Sequence, residues 1–435
     1  MDSKKFHLPQ SLRGKVFRAD EFFREKQDTA GSSPILDRLS GVRIVRDETG
    51  SFVHRRVAIP LDRCVSEEGY LFPGGYGLPD FDAEGVRNLS GEDGWDAAHP
   101  RSLLFFDVET TGLAGGSGTC PFLCGVGYFE ENAFVVEQFF MEDFPQEGVM
   151  LSHLAREIAK ASAFVTYNGK CFDIPLLATR LTLHRQRLNL EIPHIDLLHH
   201  ARRVWRGAFS DCRLETIETS FFGLKRARDI ESHLIPQIYF QYIRGRRREM
   251  ILPVFDHNVQ DIATLGALVL MFCRSIRTPL DCGLRTPEEL YGLGRLLLGL
   301  GRADKALECL REALVSARDR DFQEMLLLYL GRLYKKMGRW EEALETWDTL
   351  MKVSPAHRLA AAVEIAKYHE HRGRDPEKAR QVLFEASGRS ALLADLESYL
   401  SGPGAEDAAS ISGDLELRLS RLERKISGRK PGSPQ

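Results

Sequence analysis

Residues 103–112 read Leu-Leu-Phe-Phe-Asp-Val-Glu-Thr-Thr-Gly, and no other stretch limits the fold as strongly. Four uninterrupted apolar residues, Leu103 to Phe106, predict a strand buried on both faces. Asp107 and Glu109 follow at a spacing of two, which in a strand sends both side chains to one side of the sheet. Thr110, Thr111 and Gly112 then end it. Two acids aimed into one space repel each other unless a cation lies between them. A strand end with two solvated acids is the plainer alternative, and it leaves the acids further along the chain without a role.

The 435 residues allow two or three domains, and 43% hydrophobic with 28% charged residues is ordinary globular composition. The net charge of −3 is unevenly spread: Arg180 to Arg248 holds 14 Lys and Arg against 7 Asp and Glu. Eight scattered cysteines, with Cys120 and Cys124 the only close pair, argue against a zinc site and suit a reducing, cytoplasmic setting. The N-terminus lacks a signal-like apolar run, and no window of about twenty apolar residues reads as a membrane span, so no membrane is expected.

Residues 1–100 read as a lead segment: one short amphipathic helix in the first 35, a hairpin over Gly41–Pro60, and a Gly- and Asp-rich loop over 69–98. Residues 101–275 form the core domain. After the acidic strand and a glycine-rich link, strands over Cys120–Phe129 and Ala133–Met141 complete an antiparallel meander. Helical periodicity over Val149–Ala161 precedes a strand at Ala163–Tyr167. Helices follow from Phe172 to Leu183, over Ile195–Val204 and Arg213–Phe222, and from Phe255 to Cys273. That order predicts an α/β mixed sheet with flanking helices.

Three residues join the first two acids. Asp173 lies in the first turn of a helix just past a strand end, and Asp261 lies four residues after His257, on one helix face. Four hard oxygen donors and a single histidine favour Mg²⁺ or Mn²⁺ over zinc. Two such ions about 4 Å apart activate a water and stabilise the leaving oxygen of a phosphodiester, and a histidine can orient or deprotonate that water.

Asp-Val-Glu-Thr-Thr-Gly, Asn-x-x-x-Phe-Asp and His-Asn-x-x-Asp resemble the three motifs of the DEDD exonucleases, which have a ribonuclease H-like fold. The nearer resemblance is to the bacterial YprB-like branch, through Gly-Gly-Ser-Gly-Thr (115–119), Arg-Leu-Glu-Thr-Ile-Glu (213–218) and Ile-Pro-Gln-Ile-Tyr-Phe (235–240). It covers residues 101–275. The resemblance implies that Asp107, Glu109, Asp173 and Asp261 bind two metal ions and that His257 takes the place of the general base. In that superfamily histidine usually stands five residues before the last acid and tyrosine four; here a histidine stands at the tyrosine spacing. The activity implied is 3′–5′ exonuclease hydrolysis of single-stranded DNA or RNA. A nucleic-acid-binding scaffold that does not cut is the alternative.

Thr110, Asn168, Arg244, Arg246 and Arg247 are the candidate nucleic-acid contacts; Arg202, Arg203, Arg206, Lys225, Arg226 and Arg228 extend the basic run. Asn168 also suits a turn after its strand. Tyr239, Phe240 and Tyr242 suit base stacking, with core packing favoured for at least two of them. Asp196 is either an acid behind the site or a helix N-cap. His199 and His200 read as surface or core.

From Thr286 the texture becomes helical and repeats. Gly294, Ala306 and Leu310 recur as Gly331, Ala343 and Trp347, then more loosely as Ala366, Ala379 and Leu383. The offsets, 37 and 35 residues, resemble tetratricopeptide repeats. An all-α tetratricopeptide-like domain over 283–400 is therefore expected, able to hold a protein partner. Residues 401–435 read as a short charged helix (Asp414–Ile426) and a Gly/Pro/Ser tail.

Overall fold

A computed structural model of the chain describes residues 34–386, apart from 63–64, 68, 93–94, 96–98, 113–117, 225 and 227–229, together with residues 417–427. The helix expected in the first 35 residues, most of the glycine-rich link, Lys225 and Arg228, and most of the tail lie outside the described residues. The chain packs as two compact units built from separated segments. One takes residues up to Phe72, Arg101–His194 and Arg226–Gly266; the other takes Pro73–Pro100, Ile195–Lys225 and Ala267 onward.

The first unit is organised on a seven-stranded mixed sheet whose last strand begins at His194, where the unit's middle segment ends. Its strands are β1 (Val42–Asp47), β2 (Gly50–Pro60), β3 (Leu103–Thr110), β4 (Pro121–Phe129), β5 (Ala133–Phe140), β6 (Ala163–Thr166) and β7 (His194–Asp196), in the spatial order β1-β2-β5-β4-β3-β6-β7. β3, β4 and β5 form the expected meander, closed by Glu130 N donating to Ala133 O at 2.8 Å. β3 lies inside the sheet, antiparallel to β4 and parallel to β6. This is why its apolar run is continuous: residues buried on both faces have no polar side to alternate with. The hairpin β1–β2 extends the sheet beyond β5.

Among the described residues seven helices precede the repeats: α1 (Ala83–Ser90), α2 (Glu147–Ile158), α3 (Asp173–Leu183), α4 (Leu197–Trp205), α5 (Leu214–Ser220), α6 (Ile235–Ile243) and α7 (Leu252–Arg277). Helical periodicity from Ile195 misleads at its start. His194–Asp196 is a three-residue strand at the sheet's end, and Asp196 caps α4 by accepting from Leu198 N at 3.2 Å. Backbone pairing takes these residues where their own spacing suggests helix. Residues 69–98 likewise contain α1, begun by Asp82 accepting from Gly85 N at 2.9 Å and ended by left-handed Gly91.

α7 lies close against the sheet because glycines make room for it. A Cβ on Gly125 or Gly127 of β4 would overlap Ile262, and one on Gly266 of the helix would overlap Phe134 of β5. The stretch Arg248–Arg277 is by composition long and apolar enough to cross a membrane, although no such window was read from the sequence; 83% of its most apolar window is buried inside the protein, as in a core helix. Tyr239 stacks on Phe122 with ring centroids 4.0 Å apart, and Tyr242 is buried beside Phe140, so both serve the core.

In the second unit three helical hairpins follow one another: α8 (Pro287–Gly299) with α9 (Ala303–Ser316), α10 (Arg320–Lys336) with α11 (Trp340–Val353), and α12 (Arg358–His371) with α13 (Pro376–Ala386). The recurring small residues sit where paired helices meet: Gly294 under Leu310 and Gly331 under Trp347. A capping box, Thr286 with Glu289, starts the first pair, and Glu289 also accepts from Trp205 Nε1 of α4 at 3.1 Å. Residues 417–427 form a helix that buries Leu422 among Ala362, Ala366 and Leu383. Its Arg418, Arg421 and Lys425 all converge on the buried carboxylate of Glu370 at 2.8 Å.

Candidate active site

β3 delivers Asp107 and Glu109 to one side of the sheet, as their spacing requires, and the pairing register shifts immediately after Glu109. The short strand β6 ends at Thr166, and Asn168 turns the chain in the left-handed region (φ 68°), a conformation asparagine tolerates. Asp173 then stands at the first residue of α3. His257 and Asp261 come from one face of α7. The five side chains line a single cavity of roughly 220 Å³, walled also by Tyr167, Phe172, Ile235 and Pro236. Thr110 and Asn168 line it too, with the Thr110 hydroxyl donating to Gly112 O at 2.8 Å.

Arg244, Arg246 and Arg247 are exposed in the turn after α6 and do not line this cavity. Arg202, Arg203 and Arg206 belong to the second unit. Asp196 does not line the cavity either. Of its two readings the N-cap is the one observed.

The acids are electrostatically frustrated. Burial, followed by the charge of Asp261, holds the Asp107 carboxyl up at about 7; the hydrogen bond from Asn258 and the charge of Arg226 pull the other way. Burial likewise pushes Glu109 well above the carboxylate range, and Asp107, Asp261 and Asp173 add to the push. His257 Nε2 lies 3.4 Å from Asp261 Oδ2 and 3.9 Å from Glu109 Oε1.

Two features escape the motif reading. One is a line of polar groups directly across the sheet. Arg55 of β2, Gln138 of β5, Gly125 of β4 and Asp107 of β3 are register partners in succession. Asn258 of α7 sits over the glycine and connects them. Gln138 Nε2 donates to Asn258 Oδ1 and Asn258 Nδ2 donates to Asp107 Oδ2, both at 2.9 Å, while Arg55 Nη1 donates to Gln138 Oε1 at 3.2 Å. Gln138 and Asn258 are fully buried, and Arg55 is 2% exposed. Buried amides persist only when their hydrogen bonds are made, so this line of contacts orients Asp107 from the neighbouring strands and α7 rather than from the loop beside it. The signal in the sequence was a glutamine inside the apolar run of β5 and the asparagine after His257. The other feature is Arg226, which pairs with Asp261 through Nη2 and donates from Nη1 to His257 Nδ1 at 2.7 Å. No spacing marks it.

The donor set fits divalent cations: four carboxylates face one cavity, and burial with the neighbouring charges works against the charged forms of Asp107 and Glu109. Among the described residues no three of His, Cys, Asp or Glu close on a common point as a finished cage.

Residues 104–272 match the family model described as RNase_H superfamily, and residues 326–357 match a tetratricopeptide repeat. The protein YprB of Bacillus subtilis (strain 168), itself uncharacterised, is 33% identical over 329 residues, 75% of each chain. A family B DNA polymerase from the archaeon Pyrobaculum calidifontis superposes with a TM-score of 0.32 at 14% identity, over 48% of this chain and 30% of the polymerase, too loosely to carry an argument. Ribonuclease H-like nucleases generally use divalent metals, such domains suggest nucleic-acid binding, and tetratricopeptide repeats suggest protein interaction. The chain belongs to the YprB-like family of the ribonuclease H superfamily, with a tetratricopeptide repeat following that domain.

Proposed function

We propose that this protein is a divalent-metal-dependent nuclease, a 3′–5′ exonuclease acting on single-stranded nucleic acid in the cytoplasm, with Mg²⁺ or Mn²⁺ as a pair of ions. The observation that supports it best is the meeting of Asp107, Glu109, Asp173, Asp261 and His257 in one cavity from one strand and two helices. Its volume falls below the roughly 300–1,000 Å³ of small-molecule pockets, which suits ions and a phosphate better than an enclosed organic ligand.

Asp107, Glu109, Asp173 and Asp261 would hold the ions. When bound, the ions supply an activated water and stabilise charge on the leaving oxygen. The chain's own part is to fix the ligands and move a proton. The Arg55–Gln138–Asn258 chain holds Asp107 in place. His257 is near enough to Asp261 and Glu109 to orient a water and accept its proton. Phe172, Ile235 and Pro236 give the cavity apolar walls. Arg244, Arg246 and Arg247 are exposed in the same unit and suit the departing strand's phosphates. The described cysteines are all free, in keeping with a reducing setting. The repeats would hold a protein partner.

The test uses purified protein, single-stranded DNA and RNA labelled at either end, and Mn²⁺, Mg²⁺ or EDTA. A metal-dependent ladder shortening from the 3′ end supports the reading and chooses the sugar. Binding without cleavage in every metal overturns it in favour of a scaffold. His257→Ala is expected to slow hydrolysis by ~10²–10⁴-fold if the histidine is the base; an unchanged rate would leave it a structural role only.

A further inference from the structure

Four carboxylates crowded into one cavity repel one another, and each charge held partly away from water without a counter-charge is costly. The metal-free protein meets this partly with an internal cation. The guanidinium of Arg226, whose side chain is 9% exposed, is paired with Asp261. The same guanidinium donates to Nδ1 of His257 at 2.7 Å, and a ring nitrogen that accepts a hydrogen bond has its lone pair engaged. One group thus holds an acid proposed as a metal ligand and the lone pair of the proposed base. Asp261 Oδ1 and the His257 Nδ1 lone pair are both engaged while Arg226 is there. Unlike the carboxyls, which can take up or release protons, a guanidinium keeps its charge at any relevant pH. It releases those two atoms only by moving aside.

We infer that Arg226 is a resident counter-cation that keeps the metal-free site closed, and that divalent ions load by displacing it from Asp261 and His257. The inference rests on the nuclease reading and concerns the same site. The relation is competitive and so reciprocal: whatever Arg226 gains from Asp261 in the metal-free state is subtracted from the metal affinity.

The experiment is calorimetric titration of the metal-free, full-length protein with Mn²⁺, paired with thermal melts in EDTA and in saturating Mn²⁺. Arg226→Gln is expected to bind Mn²⁺ tighter by about tenfold, the scale of one partly buried ion pair removed from competition. It should melt lower than wild type in EDTA and level with it in Mn²⁺, a pattern that a purely structural arginine would not produce. Arg226→Lys keeps the charge but not the forked geometry and should fall between the two, which preserves the test should the glutamine variant fold poorly. Unchanged or weaker Mn²⁺ affinity in both variants, with normal uptake by wild type, overturns the inference alone. No Mn²⁺ uptake by wild type overturns the nuclease reading as well.

Discussion

Asp107→Asn is expected to leave no measurable hydrolysis in a protein that is folded and, in EDTA, more stable than wild type. The loss follows from removing a charged ligand: charge stabilisation by a bound metal is worth several kcal/mol in such reactions, and at ~1.4 kcal/mol per factor of ten this is a fall of at least about 10³-fold. The gain in stability follows from the same charge. The folded Asp107 carboxyl keeps its proton up to about pH 7, whereas its ordinary value is 3.8. Between those values the folded protein binds more protons than the unfolded chain, so this group's contribution to stability falls as pH rises. Below 3.8 both states are protonated and the penalty vanishes; above 7 it is complete. The asparagine keeps an oxygen for Asn258 to donate to and carries no charge. Melting in EDTA at the two ends of this range decides the matter: the variant should exceed wild type at neutral pH and match it at low pH. A variant that still hydrolyses with metal would remove Asp107 from the site.

Gly125→Val should strike stability and site together. Its side chain would enter the space held by Ile262 Cδ1 and Asn258 Oδ1, so α7 could not keep its distance from β4. Overpacking of this kind costs ~1–3 kcal/mol or more. The shift also pulls Asn258 away from Asp107, and loss of such a support weakens metal affinity by ~10–100-fold. A lowered melting temperature with weakened Mn²⁺ binding is the expected pair of results. Gly207→Ala, where an added Cβ meets open space, serves as the control. Full Mn²⁺ affinity in the valine variant would show that the polar line across the sheet does not position Asp107.

How far the residues speak for themselves differs from place to place. β3 was readable because burial on both faces forces an unbroken apolar run, and its two acids could be assigned a common side from the two-residue period alone. Helices α3 and α7 and the repeats were readable from their period and from small residues at fixed intervals. His194–Asp196 was not, because three residues carry too little pattern to compete with the helix that follows. α1 was hidden by the glycines and aspartates that cap it.

The candidate site divides along the same line. Local sequence determined which acids exist and which side of a strand or helix each occupies, since side-chain direction is set by backbone geometry within a few residues. Only the tertiary structure decided that Arg55, 52 positions before Asp107 in the chain, reaches it through Gln138 and Asn258, and that Arg226 faces Asp261 and His257. Those relations depend on strand order, register and the depth at which α7 rests on the glycines of β4. Charge and hydrogen bonding act across space, and no spacing along the chain records which groups the fold will bring within their reach.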